Sequence, residues 1–232
     1  MKVVIDSLFL IQKMSKTAII TAGGIGKRMG LKVPKQFMLL NGKPLLYWTI
    51  EKFYKFDSKM QILVSLPKDW IKFWEDSCEE YQIRIPHKLV EGGTERFHSI
   101  QNALQFATGD LIAIHDGVRP FVSVNLIQNG FETAKLKGSA VPVVELKESI
   151  RTVSENSSKA VERNNFRIVQ TPQTFQKEII AQAYQQDFNS SITDDACLVE
   201  SIGYEIQLIP GEDQNIKITT PIDIKLAEIL IK

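Results

Sequence analysis

Short apolar runs alternate with longer segments in which apolar residues recur every three or four positions, over most of this 232-residue chain. The short runs predict buried strands, and the longer segments predict amphipathic helices. Strands are predicted at residues 18–20, 61–66, 88–90, 111–114 and 140–144, and helices at 43–54, 70–81, 99–107 and 124–137. This alternation predicts a single Rossmann-like α/β domain, in which helices cover both faces of a mostly parallel sheet.

The segment from residue 145 to residue 166 interrupts this alternation, since it is polar and rich in Ser, Asn and Arg. Strand-like pieces lie at 149–153 and 166–169. We predict that this segment is a β-arm, which leaves the main sheet and forms a homodimer by contacting a second subunit. Beyond the arm, helices are predicted over 176–185, over 194–201 and from Pro221 onwards, with a strand over 205–209 and an apolar piece at 216–218.

Residues 1–15 hold short apolar pieces interrupted by Asp6. Such pieces are too short for a membrane-spanning helix or a convincing signal peptide. A second methionine, Met14, lies just before the first predicted core strand. We therefore predict that residues 1–15 are a dispensable extension and that residues 16–232 form the functional domain.

Composition and charge narrow the range of partners. Hydrophobic residues make up 44% of the chain and charged residues 24%, as in ordinary globular domains. Lys and Arg number 28 against 27 Asp and Glu, so the net charge is only +1. This balance provides no overall field to attract nucleic acid or a membrane surface, and neither is predicted as a partner. Any phosphate must therefore be bound by cations that are placed locally.

Cysteine and histidine usage gives no sign of a resident metal site. The two cysteines, Cys78 and Cys197, are far apart, which argues against a disulfide scaffold or a cysteine-rich zinc site and indicates a reducing, cytoplasmic location. The three histidines, His87, His98 and His115, show no metal-ligand spacing, and we interpret them as ordinary residues.

Four glycines, Gly23, Gly24, Gly26 and Gly30, follow the first predicted strand. Glycine lets the backbone approach a ligand, and exposed N–H groups can surround phosphate oxygens. The segment is not a Walker A loop, because no Gly-Lys-Ser/Thr follows at the required spacing. It does imitate a dinucleotide fingerprint, so an NADP-binding reductase is an alternative. Against that alternative, cations crowd the segment, Pro34 interrupts the expected helix, and the chain has no Tyr-x-x-x-Lys pair.

Arg28 and Lys35 are the cations near these glycines that we predict to contact phosphate. During displacement at a nucleoside triphosphate, negative charge gathers on the α-phosphoryl group and on the leaving pyrophosphate. Fixed cations at that place stabilise the transition state and need little reorganisation. The two residues therefore indicate a phosphate-handling site.

The same segment resembles a family signature. Residues 22–29, Ala-Gly-Gly-Ile-Gly-Lys-Arg-Met, with the later Pro-Lys-Gln at 34–36, are similar to the cytidylyltransferases that act on 2-C-methyl-D-erythritol 4-phosphate in the non-mevalonate isoprenoid pathway. Five further blocks resemble that family in the expected order: Gly-Gly-Thr-Glu-Arg-Phe-His-Ser (92–99), His-Asp-Gly-Val-Arg-Pro-Phe (115–121), Thr-Pro-Gln-Thr-Phe (171–175), Thr-Asp-Asp-Ala (193–196) and Asn-Ile-Lys-Ile-Thr (215–219). The resemblance implies transfer of CMP from CTP to that sugar-alcohol phosphate, with release of pyrophosphate.

The resemblance also implies a role for each matching residue. The residues implied to be catalytic are Arg28, Lys35, Arg163 and Lys217. Those implied to hold CTP are Ala22, Gly23, Gly24, Gly26, Gly93, Arg96, Ser99 and Asp116. Asp116 would also help to place Mg²⁺, the implied cofactor. The alcohol phosphate would be received by Arg119, Arg163, Thr171 and Lys217, with Arg163 coming from the arm of the neighbouring subunit.

Two positions depart from the family pattern. The usual Val-Pro-x-x-Asp-Thr is Val-Pro-Val-Val-Glu-Leu at 141–146, so Leu146 replaces a threonine that helps to hold methylerythritol phosphate. The acidic residue often found in the Gly-Gly-x-x-Arg block is Thr94. Both departures bear on which alcohol is accepted, and a ribitol-5-phosphate cytidylyltransferase is therefore the nearest alternative. A sugar-nucleotide sensor without activity is a further alternative, which retention of the four catalytic cations disfavours.

Overall fold

Strands and helices alternate along the chain in the structure, a computed structural model that describes residues 14–24 and 33–231. The strands of this described part are β1 (Lys16–Thr21), β2 (Leu39–Leu40), β3 (Lys43–Pro44), β4 (Gln61–Leu66), β5 (Lys88–Glu91), β6 (Leu111–Asp116), β7 (Ser139–Glu145), β8 (Arg151–Ser154), β9 (Ser157–Ala160), β10 (Arg167–Val169), β11 (Gln173–Gln176) and β12 (Leu208–Pro210). Its helices are α1 (Leu45–Phe56), α2 (Lys68–Glu80), α3 (Arg96–Leu104), α4 (Val124–Lys137), α5 (Lys177–Ala183), α6 (Asp195–Glu200) and α7 (Pro221–Leu230).

One large sheet organises the described residues. Its strands lie in the order β10-β7-β11-β6-β1-β4-β5, and β12 pairs with β7. Strands β6, β1, β4 and β5 are parallel to one another, and β7 and β12 run in the same direction. The prediction of a mostly parallel sheet is therefore confirmed.

Helices cover both faces of this sheet, as predicted. On one face α1, α2 and α4 pack around Ile20 of β1, with Phe53, Trp74 and Phe131 among the buried side chains. On the other face α3, α5 and α6 pack around Ile19. Successive residues of β1 thus enter opposite cores, which explains why a strand buried on both sides is a continuous apolar run.

The closing helix begins at Pro221, as the sequence predicts. Thr220 and Asp223 form a capping box there, and proline fits at the first helical position because its missing N–H would have no partner in the helix. The helix packs through Ala227 on a small third core.

None of the helices in the described ranges has the length and apolar character that a membrane span needs.

The predicted arm leaves the main sheet as a separate hairpin. Strands β8 and β9 pair only with each other among the described strands, and all of their residues are exposed. Strand β10 then returns and pairs antiparallel with β7. The predicted departure of the arm from the main sheet is therefore observed, while its part in a homodimer stays a prediction.

The sequence prediction missed β11, which lies antiparallel between β6 and β7. This strand contains two glutamines and a threonine, so it has no apolar run. Gln173 can be buried because its side-chain amide has partners, whereas the buried Thr174 hydroxyl has none among the described residues. The side chain of Gln173 donates to Oδ2 of Asp194 at 2.9 Å and accepts from the N–H of Ala196 at 2.8 Å.

Several predicted boundaries also differ. The strand predicted over 205–209 forms only at Leu208–Pro210, and 216–218 forms no strand in the described part, where the N–H of Ile218 donates to Val118 O. The helix predicted from 43 begins at Leu45, because β3 first pairs with β2. The helix predicted over 99–107 is α3, which begins and ends three residues earlier.

The N-terminal boundary is partly visible. Residues 1–13 lie outside the described residues. Met14 packs on the core, and the N–H and hydroxyl of Ser15 donate to Oδ2 of Asp110 at 2.7 and 2.8 Å. That residues 1–15 are dispensable stays a prediction, although these last two contact the domain.

Candidate active site

A cavity of about 350 Å³ opens at the carboxyl ends of β1 and β6. Open α/β sheets bind their ligands at this edge. The cavity wall combines the end of β1, the 3₁₀ turn Lys35–Phe37, the start of α3, the end of β6 and one residue from before α7. The lining residues are Thr21, Ala22, Gly23, Gly24, Lys35, Gln36, Gly93, Thr94, Glu95, Arg96, Ser99, Asp116, Val118 and Lys217.

The segment that enters α3 is folded tightly against the cavity. The N–H of Gly93 donates to Oγ of Ser99 at 3.1 Å, and that hydroxyl donates to Glu95 O at 3.0 Å. A Cβ at residue 93 would clash with the side chain and backbone of His98, so only glycine fits there. The N-terminus of α3 therefore borders the cavity, where the helix dipole favours an anion.

Arg96 is held by a bidentate ion pair. Its Nη1 and Nη2 donate to Oδ1 and Oδ2 of Asp195 at 2.9 and 2.6 Å. Asp195 is fully buried, and its Oδ1 also accepts a hydrogen bond from the Tyr184 hydroxyl at 2.6 Å. Burial disfavours the charged guanidinium, but the carboxylate outweighs burial and raises the pKa of Arg96. The guanidinium is therefore a fixed positive charge in the cavity wall.

Asp116, the last residue of β6, is surrounded by cations. Its Oδ2 accepts from Lys217 Nζ and from Arg119 Nε, each at 3.1 Å. Burial opposes ionisation of this carboxyl, but the charges of Lys217, Arg96 and Arg119 outweigh burial and hold its pKa well below the usual range. The Lys217 side chain keeps 44% of its surface exposed, so its ammonium group can reach a ligand.

A buried histidine supports this aspartate from behind. His115 Nε2 lies 3.0 Å from Arg119 O, and because a carbonyl oxygen only accepts, Nε2 carries the ring hydrogen and donates it. Nδ1 of the neutral ring is then an acceptor, so the Thr171 hydroxyl donates to it at 3.0 Å and accepts from the N–H of Asp116 at 3.1 Å. Complete burial lowers the pKa of His115 to about 4, which keeps the ring neutral. The imidazole therefore braces the turn that carries Asp116.

Comparison with known proteins identifies the family of this chain. The sequence model of the 2-C-methyl-D-erythritol 4-phosphate cytidylyltransferase family matches residues 16–232. The chain belongs to this family. The 2-C-methyl-D-erythritol 4-phosphate cytidylyltransferase of Phocaeicola vulgatus is 45% identical over 219 residues, which cover 94% of this chain and 100% of the relative.

Solved structures agree with that membership. The 4-diphosphocytidyl-2C-methyl-D-erythritol synthase of Anaerococcus prevotii matches with a TM-score of 0.80 at 27% identity, over 94% of this chain and 96% of the other. The 2-C-methyl-D-erythritol 4-phosphate cytidylyltransferase of Thermus thermophilus matches with a TM-score of 0.74 at 30% identity, over 92% of this chain and 97% of the other.

The predictions of family, fold and enzyme class are therefore confirmed. The chain is a cytidylyltransferase, and its reaction is that of CTP with 2-C-methyl-D-erythritol 4-phosphate. The comparisons favour this activity over the ribitol-5-phosphate enzyme, the NADP-binding reductase and the sensor without activity.

The cavity at the ends of β1 and β6 is lined by most of the residues predicted to hold CTP, together with two of the predicted catalytic cations. The predicted residues that line it are Ala22, Gly23, Gly24, Lys35, Gly93, Arg96, Ser99, Asp116 and Lys217. Two others, Gly26 and Arg28, lie outside the described residues. The individual roles of all these residues stay predictions.

Arg119 and Thr171, predicted to receive the alcohol phosphate, lie behind Asp116 and are not part of the cavity wall. The Thr171 hydroxyl is engaged by His115 and by the Asp116 N–H, as described above. Arg119 additionally donates from Nη1 to Asn215 O at 2.7 Å. The structure thus gives both residues a supporting position, and their direct contact with substrate stays a prediction.

Arg163 does not line the cavity at the ends of β1 and β6 of its own chain. It lines a second cavity of about 560 Å³ together with Leu146 and Lys147, and its Nη1 donates to Lys147 O at 2.6 Å. The described residues of one chain therefore do not bring Arg163 and Lys35 to one cavity wall. If Arg163 acts in the neighbouring subunit, as predicted, the two residues must be separate within one chain, as they are here.

Sequence reasoning missed four supporting residues. Asp195 and Tyr184 hold Arg96, His115 braces Asp116, and Gln36 donates from Nε2 to Ala22 O. Asp195 and Gln36 stand inside motif blocks that resemble the family, but the sequence pattern assigns neither of them a role. The prediction that His115 is an ordinary residue overlooks that it directly precedes Asp116.

The residues of the cavity suit a metal ion that arrives with the nucleotide. Among the described residues, no group of three or more His, Cys, Asp or Glu side chains could hold a metal ion. Asp116 is the one buried carboxylate among the described lining residues. Mg²⁺ commonly binds through one or two carboxylates together with substrate phosphates and water, so a single carboxylate beside a triphosphate fits that ion.

Proposed function

We propose that CMP transfer takes place in the cavity at the ends of β1 and β6, with the triphosphate of CTP between the glycines and Lys35. One observation carries this proposal: Lys35, Arg96 and Lys217 come from distant parts of the sequence and line the same cavity as Gly23 and Gly24. Backbone N–H groups at glycines surround phosphate oxygens, and fixed cations neutralise the charge that develops during displacement.

The reaction is an in-line displacement at the α-phosphorus of CTP. A phosphate oxygen of 2-C-methyl-D-erythritol 4-phosphate forms a bond to that phosphorus, while the bond to the bridging oxygen of the β-phosphate breaks. Pyrophosphate leaves with the electron pair of that bond. The attacking phosphate is already an anion at neutral pH, so no general base is needed, and the work of the protein is alignment and charge neutralisation.

Asp116 and Lys217 stand where the two substrates meet. The Asp116 carboxylate is ionised and accepts hydrogen bonds, which suits it to a ribose hydroxyl. Lys217 is the more exposed partner of this ion pair. An incoming phosphate dianion competes for its ammonium group, and Arg119 continues to neutralise Asp116 when Lys217 turns to the substrate.

Mg²⁺ is the proposed cofactor, and Asp116 is the residue that would hold it together with the triphosphate. When bound, the ion would screen the phosphate charges and favour departure of pyrophosphate. Removal of divalent ions with EDTA is expected to abolish turnover, and added MgCl₂ should restore it. Full turnover at a large excess of EDTA would contradict this part of the proposal.

The homodimer is proposed from the arm. Val153 on the β8–β9 hairpin is 79% exposed, and three further apolar side chains at the base of the arm are also exposed, namely Phe166, Ile168 and Val169. Apolar surface of this kind is typical of a protein–protein contact. A second chain that covered it would bring Arg163 of one subunit toward the nucleotide cavity of the other.

A cytoplasmic location is proposed because CTP and the alcohol phosphate are soluble substrates and because the two cysteines are unpaired.

Pyrophosphate release tests the activity. The enzyme is incubated with CTP, Mg²⁺ and either 2-C-methyl-D-erythritol 4-phosphate or ribitol 5-phosphate, and kcat/KM is measured for each alcohol. We expect a clear preference for methylerythritol phosphate. Turnover of ribitol 5-phosphate alone would overturn this assignment and would give Leu146 a part in the selection of ribitol phosphate.

A further inference from the structure

Three consecutive residues of the 3₁₀ turn Lys35–Phe37 make three different contacts. Lys35 lines the nucleotide cavity. Gln36 also lines it, but only 1% of its surface is exposed. Phe37 is 5% exposed and points into the core. The turn is therefore fixed through Gln36 and Phe37, while the lysine itself faces the site.

The Gln36 side chain connects the turn to the end of β1. Its Nε2 donates to Ala22 O at 2.6 Å in a fully buried hydrogen bond that spans 14 residues of sequence. The N–H of Ala22 in turn donates to Ser65 O at 2.9 Å, which ties this residue to β4. Gln36 therefore sets the distance between the first glycines of the cavity and the turn that carries Lys35.

The aromatic side chain of Phe37 anchors the other side of the turn. Its ring centroid lies 5.6 Å from that of Trp70, 5.0 Å from that of Phe73 and 5.9 Å from that of Trp74. All three of these aromatic residues belong to α2, and Trp74 is fully buried in the core. Because this contact holds the turn against α2 whatever residue 36 is, loss of the Gln36 bond should shift the turn without unfolding it.

We infer that Gln36 is a positioning residue, which acts through Lys35 by holding the lysine backbone at a fixed distance from Ala22 and the glycines. Lysine has a flexible four-carbon stem, so the place of its ammonium group depends on where its backbone is held. A displacement of about 1 Å at a charge that stabilises a transition state costs on the order of 100-fold in rate. This inference rests on the proposed function, since it presupposes that Lys35 acts on CTP.

The test is a double-mutant cycle between the two residues. Gln36→Met keeps the volume of the side chain and removes the donor, and Lys35→Met removes the charge. We expect Gln36→Met to lower kcat by about 10- to 100-fold, with KM for methylerythritol phosphate nearly unchanged. In the Lys35→Met background, the same substitution should lower kcat by less than about threefold further, because a misplaced charge no longer matters.

Gln176→Met is the matched control. Gln176 is a half-buried glutamine whose Nε2 donates to Ala134 O at 3.2 Å and Lys135 O at 3.1 Å. It lies beside Leu111 at the start of β6, at the end of the strand opposite to the cavity. Its loss removes comparable hydrogen bonds and should leave kcat within about twofold of wild type. Gln36→Asn, which retracts the amide by one methylene group, provides a second variant in case Gln36→Met does not fold, and its kcat should fall in the same way.

The outcomes separate two failures. If Lys35→Met retains wild-type kcat, the proposed function of Lys35 fails. If Lys35→Met is strongly impaired but the two kcat losses multiply, the inference about Gln36 alone is overturned, because a general loss of folded enzyme would multiply in this way. Wild-type kcat in folded Gln36→Met or Gln36→Asn would also overturn it.

Discussion

The nucleotide cavity and the arm both carry cations that are predicted to bind substrate or to act in catalysis, but they hold them in opposite ways. In the cavity, Arg96 and Lys217 pair with the carboxylates of Asp195 and Asp116, both of which are buried. In the arm, Arg163 is exposed and donates to the backbone carbonyl of Lys147. The cavity is thus preorganised within one chain, whereas the arm acquires a comparable environment only if another surface covers it.

The largest expected effect is on the cavity side. Lys35→Met should lower kcat by about 1,000-fold while the enzyme remains folded, because the charge on the transition state loses a fixed partner. Lys59→Met, at an exposed lysine in the turn before β4, is the matched control and should be close to wild type. Steady-state pyrophosphate release gives kcat for both variants, and circular dichroism shows whether each variant is folded. A kcat for Lys35→Met within about tenfold of wild type would refute the assigned role.

The arm is tested by Arg163→Met, for which we expect kcat/KM for methylerythritol phosphate to fall by about 100-fold, with little change in KM for CTP. Arg84→Met removes another exposed arginine, one that lines neither cavity, and serves as the control. If the arm serves the neighbouring subunit, mixing Arg163→Met with Lys35→Met should restore activity, since one site of each mixed dimer regains both residues. Absence of recovery after the subunits are shown to exchange would place Arg163 outside the partner's site.

A smaller effect is expected at the carboxylate that holds Arg96. Asp195→Asn leaves the guanidinium without its buried partner, which should cost about 3–5 kcal/mol of unfolding free energy and raise KM for CTP. Asp76→Asn breaks an exposed pair with Lys72 and should leave the free energy of unfolding almost unchanged. Urea unfolding and CTP titration of both variants measure the difference. Equal stability losses would show that the cavity pair is no better ordered than the surface pair.

The smallest effect is a dependence of stability on pH through His115. Burial lowers its folded pKa to about 4 from 6.5, so the unfolded chain takes up a proton first as pH falls. Stability should therefore be complete above pH 6.5, decline between pH 6.5 and about 4, and lose about 3 kcal/mol over that window from this residue. His115→Gln should flatten the decline in urea unfolding, apart from the part due to His87, whose pKa is also lowered by burial. An unchanged slope would contradict the neutral, buried state of His115.

The sequence predicted the layered fold because most strands and helices are buried through apolar runs or apolar faces, which periodicity detects. It missed β11 because three of the four residues of this strand are polar, and apolar periodicity does not register a strand that is buried with polar side chains. It likewise placed Lys35, Asp116 and Lys217 in one site from motif order, but gave no roles to Asp195, Tyr184 and His115. Their roles depend on partners that are close in space and distant in sequence, as Asp195 and Arg96 are, 99 positions apart.

A crystal structure of the enzyme with CTP tests the central claim most directly. The account predicts that the triphosphate lies in the cavity at the ends of β1 and β6, with the α-phosphate within about 3.2 Å of a backbone N–H at Gly23 or Gly24 or of the Lys35 ammonium group. A nucleotide bound instead beside Leu146 and Arg163 of the same chain, away from Lys35, would contradict it.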